Sequence, residues 1–241
     1  MRIAVWSGPR NLSTALMYSF AARGDCVAMD EPFYAAYLAA TGLDHPMRDA
    51  VLASQPTDPA AVAALCAAPP PDGVAHVYQK HMTHHMQPGF PRAWMRGCRH
   101  AFLIRDPVRV IASYTAKREA VTLDDIGLPQ QAALFDHVCD LTGEAPPVID
   151  SAAIRANPEG ALAALCAVLG LPFTPRMLRW DAGPRPFDGV WAAHWYGAVH
   201  RSTGFDGAEG PAPVLSGDAA RLAGAAAPFH ERLAQHAMRV A

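Results

Sequence analysis

Residues 2–6, 26–29, 74–79, 101–105 and 148–150 are short, nearly continuous apolar runs, and stretches with helical spacing lie between them. That pattern restricts the chain more than any other feature. A strand that is apolar on both faces has to be covered on both, as in a parallel sheet with helices above and below it. Helical spacing is read over 13–23, where Leu12, Leu16, Met17 and Phe20 share a face, and over 107–117 and 130–141. A further helix is framed by Asn157 as cap, Pro158 in the first turn and Gly170 as stop. Residues 33–68 are helical in pattern but broken at Gly42, Pro46 and Pro56. The expectation is an α/β, three-layer fold with a mostly parallel central sheet of about five strands flanked by helices. One domain fills 1–241, with an Ala- and Pro-rich helical insertion over 43–71. Residues 181–213, rich in Gly, Pro, Trp and Tyr, show no period, and a loop of that length is expected to cover a ligand.

Charge and cysteine usage narrow the function. With 20 basic and 22 acidic residues the formal net charge is −2, so no overall basic field points to nucleic acid or an anionic membrane. An anion site must therefore be built locally. No stretch reaches the roughly 20 apolar residues of a membrane span, and the first residues lack the pattern of a secretion signal. Cys26, Cys66, Cys98, Cys139 and Cys166 are odd in number and have no CxxC spacing. They read as reduced thiols in a cytoplasmic protein.

Open parallel sheets bind ligands at the carboxyl ends of their strands, and two such ends carry unusual chemistry. At Trp6-Ser7-Gly8-Pro9-Arg10-Asn11-Leu12-Ser13-Thr14 the backbone N–H groups of a helix start meet two hydroxyls and a guanidinium. This is not a Walker A loop, because it has no second Gly and no Lys, and no carboxylate stands out as a Mg²⁺ ligand. Ser13 and Thr14 read equally well as caps of the following helix. The second end is Arg105-Asp106-Pro107, with Ser113 eight residues after the arginine. Asp106 suits an N-cap and Pro107 a first turn, so a helix starts there and fixes Arg105 at the strand end. An arginine held at such a point meets either a bound anion or an ion-pair partner, since burying it unpaired is costly.

Together the two motifs resemble those of the sulfotransferases that use 3′-phosphoadenosine-5′-phosphosulfate (PAPS), over about residues 1–175 apart from the insertion. The resemblance implies a P-loop-like fold. It implies that Arg10, Asn11, Ser13 and Thr14 hold the 5′-phosphosulfate, and that Arg105 and Ser113 hold the 3′-phosphate. Better-known members carry Lys where this chain has Arg10; an arginine there neutralises the same oxygens with a rigid fork. The form of the first loop, with Asp30-Glu31-Pro32-Phe33-Tyr34, resembles a less characterised, largely bacterial branch. The implied function is transfer of a sulfuryl group from PAPS to a hydroxyl or amine of a small-molecule acceptor, with no metal and no nucleic-acid or membrane partner. Oligomeric state stays open, a homodimer being one option. Two alternatives remain: a P-loop-type nucleotide kinase or hydrolase, and an inactive nucleotide-binding module.

Sulfuryl transfer needs positioning, cationic stabilisation and a base for the acceptor. Glu31, directly after the second strand, is one candidate base; it reads equally as a first-turn acid favouring the next helix. Family members carry a Lys and a nearby His after the strand equivalent to the third, which makes Lys80 and His81 candidates, with His84 and His85 close behind. Lys80 is expected to point at the sulfuryl group or the acceptor. A metal site at His81, His84 and His85 is disfavoured, because adjacent His84 and His85 diverge and no Cys or acid lies near. In the late loop, Arg201 is expected beside a nucleotide phosphate, with Trp191 and Trp195 either on adenine or in the core. The insertion over 43–71 is expected to wall the acceptor pocket.

Overall fold

The computed structural model of the chain describes residues 1–115 and 121–240. Five strands, β1 (Arg2–Ser7), β2 (Cys26–Asp30), β3 (His76–Met82), β4 (Arg99–Ile104) and β5 (Val148–Asp150), form one sheet in the order β2-β3-β1-β4-β5. Every neighbouring pair is parallel. The expected three-layer α/β fold is the observed one.

The strands divide their side chains between two cores, as the two-residue period of a strand requires. On β1, Ile3 and Val5 join one core while Ala4 and Trp6 join the other. The first core is completed by α1 (Ser13–Ala21), α2 (Tyr34–Thr41), α8 (Ser151–Ala156) and α9 (Pro158–Leu169), and takes Val51 from α3 (Arg48–Ser54). The second takes α4 (Pro59–Ala67), α5 (Pro107–Thr115), α6 (Leu123–Ile126), α7 (Leu128–Thr142) and α12 (Gly217–Ala234). The expected Asn157 cap operates, its side chain accepting from Gly160 N–H at 3.0 Å, and at the start of α4 the Asp58 carboxylate accepts from the N–H groups of Ala60 and Ala61 at 3.0 and 3.2 Å. The last residues of the helix read over 107–117 lie outside the described residues.

The helices α6, α8 and α12 were not read from the sequence, and two differences bear on the site. β3 runs to Met82 rather than stopping at 79, because β1 pairs with it as far as Ser7, in the register Val5↔Lys80, Trp6↔His81 and Ser7↔Met82. Lys80 and His81 therefore sit inside the strand and face opposite cores, where they had been expected after it. Residues 181–213 hold two short helices, α10 (Ala192–Trp195) and α11 (Gly197–His200), which carry no amphipathic signal because four residues are too few to show one. The segment is closed on itself by Trp180 N–H to the Thr203 carbonyl at 3.1 Å and Gly183 N–H to the His200 carbonyl at 2.7 Å.

At the α6–α7 junction Gly127 has φ +69°, and a Cβ there would stand 2.8 Å from Thr83 Oγ1 and 3.2 Å from His84 Nδ1. The Thr83 hydroxyl donates to the Gly127 carbonyl at 2.9 Å, so the 3₁₀ turn Thr83–His85 is seated directly on this glycine. Among the described residues no helix is long and apolar enough to cross a membrane.

Candidate active site

The carboxyl ends of the strands open into a cleft of 470 Å³ lined by Arg10, Asn11, Ser13, Thr14, Glu31, Lys80, Arg105 and Arg201. Its first wall is the β1–α1 loop. Arg10 and Leu12 adopt left-handed backbone conformations, with φ 62° and 71°. Alternating such residues with ordinary ones turns successive N–H groups toward one side, a shape that suits an anion. Neither Ser13 nor Thr14 caps α1: its N-cap is Leu12, which makes no side-chain cap bond, so the first turn keeps its donors unclaimed by side chains. Asn11 also ties the loop to the sheet, donating from Nδ2 to the Leu103 carbonyl at 3.3 Å. Buried Gln131 reinforces that joint, donating to the Trp6 and Leu103 carbonyls at 3.2 and 2.8 Å.

The second motif meets the first. Arg10 Nε donates to Ser113 Oγ at 3.0 Å, and Arg105 donates to the Arg10 carbonyl at 2.6 Å. Ser113 itself is not at the cleft surface; it reaches the site through Arg10. Burial and the neighbouring Arg105 both lower the pKa of Arg10, so its charge lacks full compensation from the protein. Arg105 is paired with Glu209, which also lies 3.2 Å from Arg109 and 3.9 Å from Arg155. Asp106 accepts from the Val108 N–H at 2.8 Å, as a helix cap does.

A compact ionic cluster forms the floor. Lys80, only 1 % exposed, donates to Asp30 Oδ1 at 3.0 Å, to Glu31 Oε1 at 2.5 Å and to the Tyr196 hydroxyl at 2.6 Å. An ammonium has three donors; all three are spent inside the protein. Burial opposes the Lys80 charge, but Asp30 and Glu31 outweigh it and hold its pKa above the ordinary value. For Glu31 burial wins and raises the carboxyl above its usual range, partly offset by Lys80. Glu31 also has φ 39°, an uncommon backbone for a residue with a side chain, and is braced by its N–H to the Lys80 carbonyl at 2.9 Å. Gln55 adds a bond to the Glu31 carbonyl at 3.1 Å. Strain of this kind, held by its surroundings, is typical of functional positions.

The histidines separate. His81 points away from the cleft into the second core, stacked on Trp6 with ring centroids 4.4 Å apart, and burial pushes its pKa down to about 3. The candidate of the sequence reading is thus not near the cleft, because the strand continues through it and turns it to the other face. His84 and His85 do line the cleft. Burial lowers His84 to about 3 and His85 well below its normal value. His85 stacks on Tyr34 and Tyr37, with centroids 4.5 and 4.8 Å away, and its Nδ1 lies 3.9 Å from Glu31 Oε2. Of residues 43–71, expected to wall the acceptor pocket, only His45 lines the cleft. Of the late tryptophans, Trp191 is in the core and Trp195 lines the cleft beside Arg201.

The sequence reading did not single out Asp30, Arg155, Tyr196 or Glu209 as site residues. Asp30 adjoins Glu31 and could have been flagged by that alone; the other three have no local pattern that marks them.

A sulfotransferase-domain family profile matches residues 1–237 of the chain. Two curated Arabidopsis thaliana proteins, branched-chain-amino-acid aminotransferase-like proteins 2 and 1, are 38 and 40 % identical to it over 203 and 206 residues. Those stretches cover 84 and 83 % of this chain, which spans only 36 % of either relative's length. Among solved structures, the sulfotransferase domain from the curacin biosynthetic pathway superposes with a TM-score of 0.55 at 17 % identity, covering 93 % of this chain and 96 % of the other. A sulfotransferase from Alicyclobacillus acidocaldarius gives 0.53 at 16 % identity, covering 76 and 86 %. Those two likenesses speak to the fold, and the profile match over nearly the whole chain speaks to descent: this chain belongs to the sulfotransferase family.

Proposed function

We propose that the chain transfers a sulfuryl group from PAPS to a hydroxyl or amine of a small-molecule acceptor. One observation carries the reading: Arg10 of the first motif is bonded to Ser113 of the second, with Arg105 on the Arg10 carbonyl, at the mouth of a loop whose N–H groups suit an anion. Arg10 and the loop N–H groups would face the 5′-phosphosulfate, with Asn11, Ser13 and Thr14 around it. Arg105 would face the 3′-phosphate, and Trp195 and Arg201 are available to cover the nucleotide. The donor set suits that ligand, since the Nε of Arg105 is buried without a partner.

In the transfer, the acceptor oxygen or nitrogen forms a bond to sulfur as the bond from sulfur to the phosphate oxygen breaks. The electron pair stays with that oxygen and 3′-phosphoadenosine-5′-phosphate (PAP) leaves. Glu31 takes the acceptor's proton. A carboxylate raised toward neutrality is better matched to that task than an ordinary one. Arg10 balances the charge on the departing phosphate, which needs no proton to leave.

A melting-temperature series with PAP, AMP, ADP and ATP–Mg²⁺ tests the reading. A ligand at 100 times its dissociation constant adds about 2.7 kcal/mol, or roughly 5–10 °C here. Stabilisation by PAP and none by AMP is the expected result. Stabilisation by ATP–Mg²⁺ alone would favour the kinase reading instead.

A further inference from the structure

We infer that Tyr196 and Asp30 are positioning residues that, together with Lys80, hold Glu31 by its first oxygen and leave the second Glu31 oxygen facing the cleft; this rests on Glu31 being the base of the proposed transfer. The argument is one of hydrogen-bond saturation. Asp30 Oδ1 receives Lys80 at 3.0 Å, and its Oδ2 receives the Gly189 N–H at 3.1 Å. The Tyr196 hydroxyl stands 2.9 and 2.8 Å from the two Asp30 oxygens. That hydroxyl already accepts from Lys80 at 2.6 Å and from Trp191 Nε1 at 3.0 Å, so its one proton is directed to Asp30. These bonds engage the Lys80 ammonium, the Tyr196 hydroxyl, both Asp30 oxygens and Glu31 Oε1, while Glu31 Oε2 lies 3.9 Å from His85 Nδ1.

Two consequences follow. Lys80 is the internal counter-ion of a carboxylate pair, and the charge developing on the sulfuryl group falls to Arg10 and the loop N–H groups. The knot is also shared with the late segment: Tyr196 belongs to the stretch that brings Trp195, Val199 and Arg201 to the cleft. The same Tyr196 hydroxyl thus holds both that stretch and the carboxylate pair.

The knot holds two carboxylates against one ammonium, so removing either Asp30 or the tyrosine hydroxyl changes how readily Glu31 takes a proton, and in opposite directions. The groups facing Glu31 are Asp30 at the end of β2 just before it, Lys80 on β3, His85 in the turn beyond it, Tyr34 on α2 and Tyr196. The full chain, ¹³C-labelled at glutamate side-chain carboxyls, is titrated by NMR, the Glu31 signal being identified by its loss in Glu31→Gln. Asp30→Asn removes a like charge and is expected to lower the Glu31 midpoint by about 1 pH unit or more. Tyr196→Phe strips a donor from the carboxylate pair and is expected to raise it. Trp191→Phe, which removes the other donor to the Tyr196 oxygen, serves if Tyr196→Phe does not fold. Midpoints that stay put, or that move the same way in both classes of variant, overturn the inference. A wild-type protein that PAP fails to stabilise would sink the nucleotide reading by itself, while the NMR midpoints would still decide the knot.

Discussion

Arg10 and Ser113 lie 103 residues apart in the chain, and the Arg10 Nε donates to the Ser113 hydroxyl at 3.0 Å. Two strand ends that look independent in the sequence are thus one structure, with Arg105 as the third member through the Arg10 carbonyl.

Replacing Arg105 with Ala should therefore weaken PAP binding by about 1.5–3 kcal/mol, the range for a charged hydrogen-bond partner. That is a ~10- to 150-fold rise in dissociation constant by calorimetry. ADP, which lacks the 3′-phosphate, should show much less change. Equal losses for the two nucleotides would remove Arg105 from the 3′-phosphate site.

Glu209 is the anion that Arg105 meets inside the protein, and Arg109 shares it at 3.2 Å. A phosphate arriving at Arg105 has to compete with that carboxylate. Glu209→Gln should tighten PAP binding by about 1 kcal/mol, roughly fivefold, again with little effect on ADP. A weaker complex would mean that Glu209 helps to shape the site for the nucleotide.

How much of this was legible beforehand follows from where each signal resides. The fold was, because two-faced apolar runs such as residues 2–6 leave few options, and the Asn157-Pro158 start and Gly170 stop are local chemistry. Arg105 and Arg10 stood out because cations at strand ends are unusual. Tyr196 and Glu209 did not, because they sit in aperiodic Gly- and Pro-rich sequence where contacts are set by the tertiary path. The face of His81 was misread for a different reason. Where β3 stops depends on how far β1 pairs with it, and no residue in 80–82 announces that.

Lys80→Met should be among the most destabilising changes available, because it leaves Asp30 and Glu31 buried without their counter-ion. Breaking a buried pair from one side costs about 3–5 kcal/mol. Urea unfolding should show it, and adding Asp30→Asn to Lys80→Met should recover part of the loss. No recovery would argue that Lys80 supports the fold through its stem alone.

The buried histidines give the stability a definite pH dependence. His81 and His84 have pKa values pushed down to about 3 by burial, and His85 lies well below its ordinary value. The unfolded chain takes up these protons near pH 6.5 while the folded chain does not. Stability from keeping them neutral is therefore complete above pH 6.5 and is lost as the pH falls from there toward 3. Between pH 7 and 5.5 the loss should be about 1 kcal/mol per histidine. His84→Gln should show a smaller drop in urea midpoint over that interval than the wild type; an unchanged drop would mean that His84 titrates freely.

The glycine at 127 has a consequence for anyone who would reshape the acceptor end. The Thr83–His85 turn rests where a side chain at 127 would be, so even a methyl group there would press on Thr83 and on His84, a residue of the cleft wall. Libraries meant to change acceptor choice therefore do best to hold position 127 fixed and to vary His45 and its neighbours.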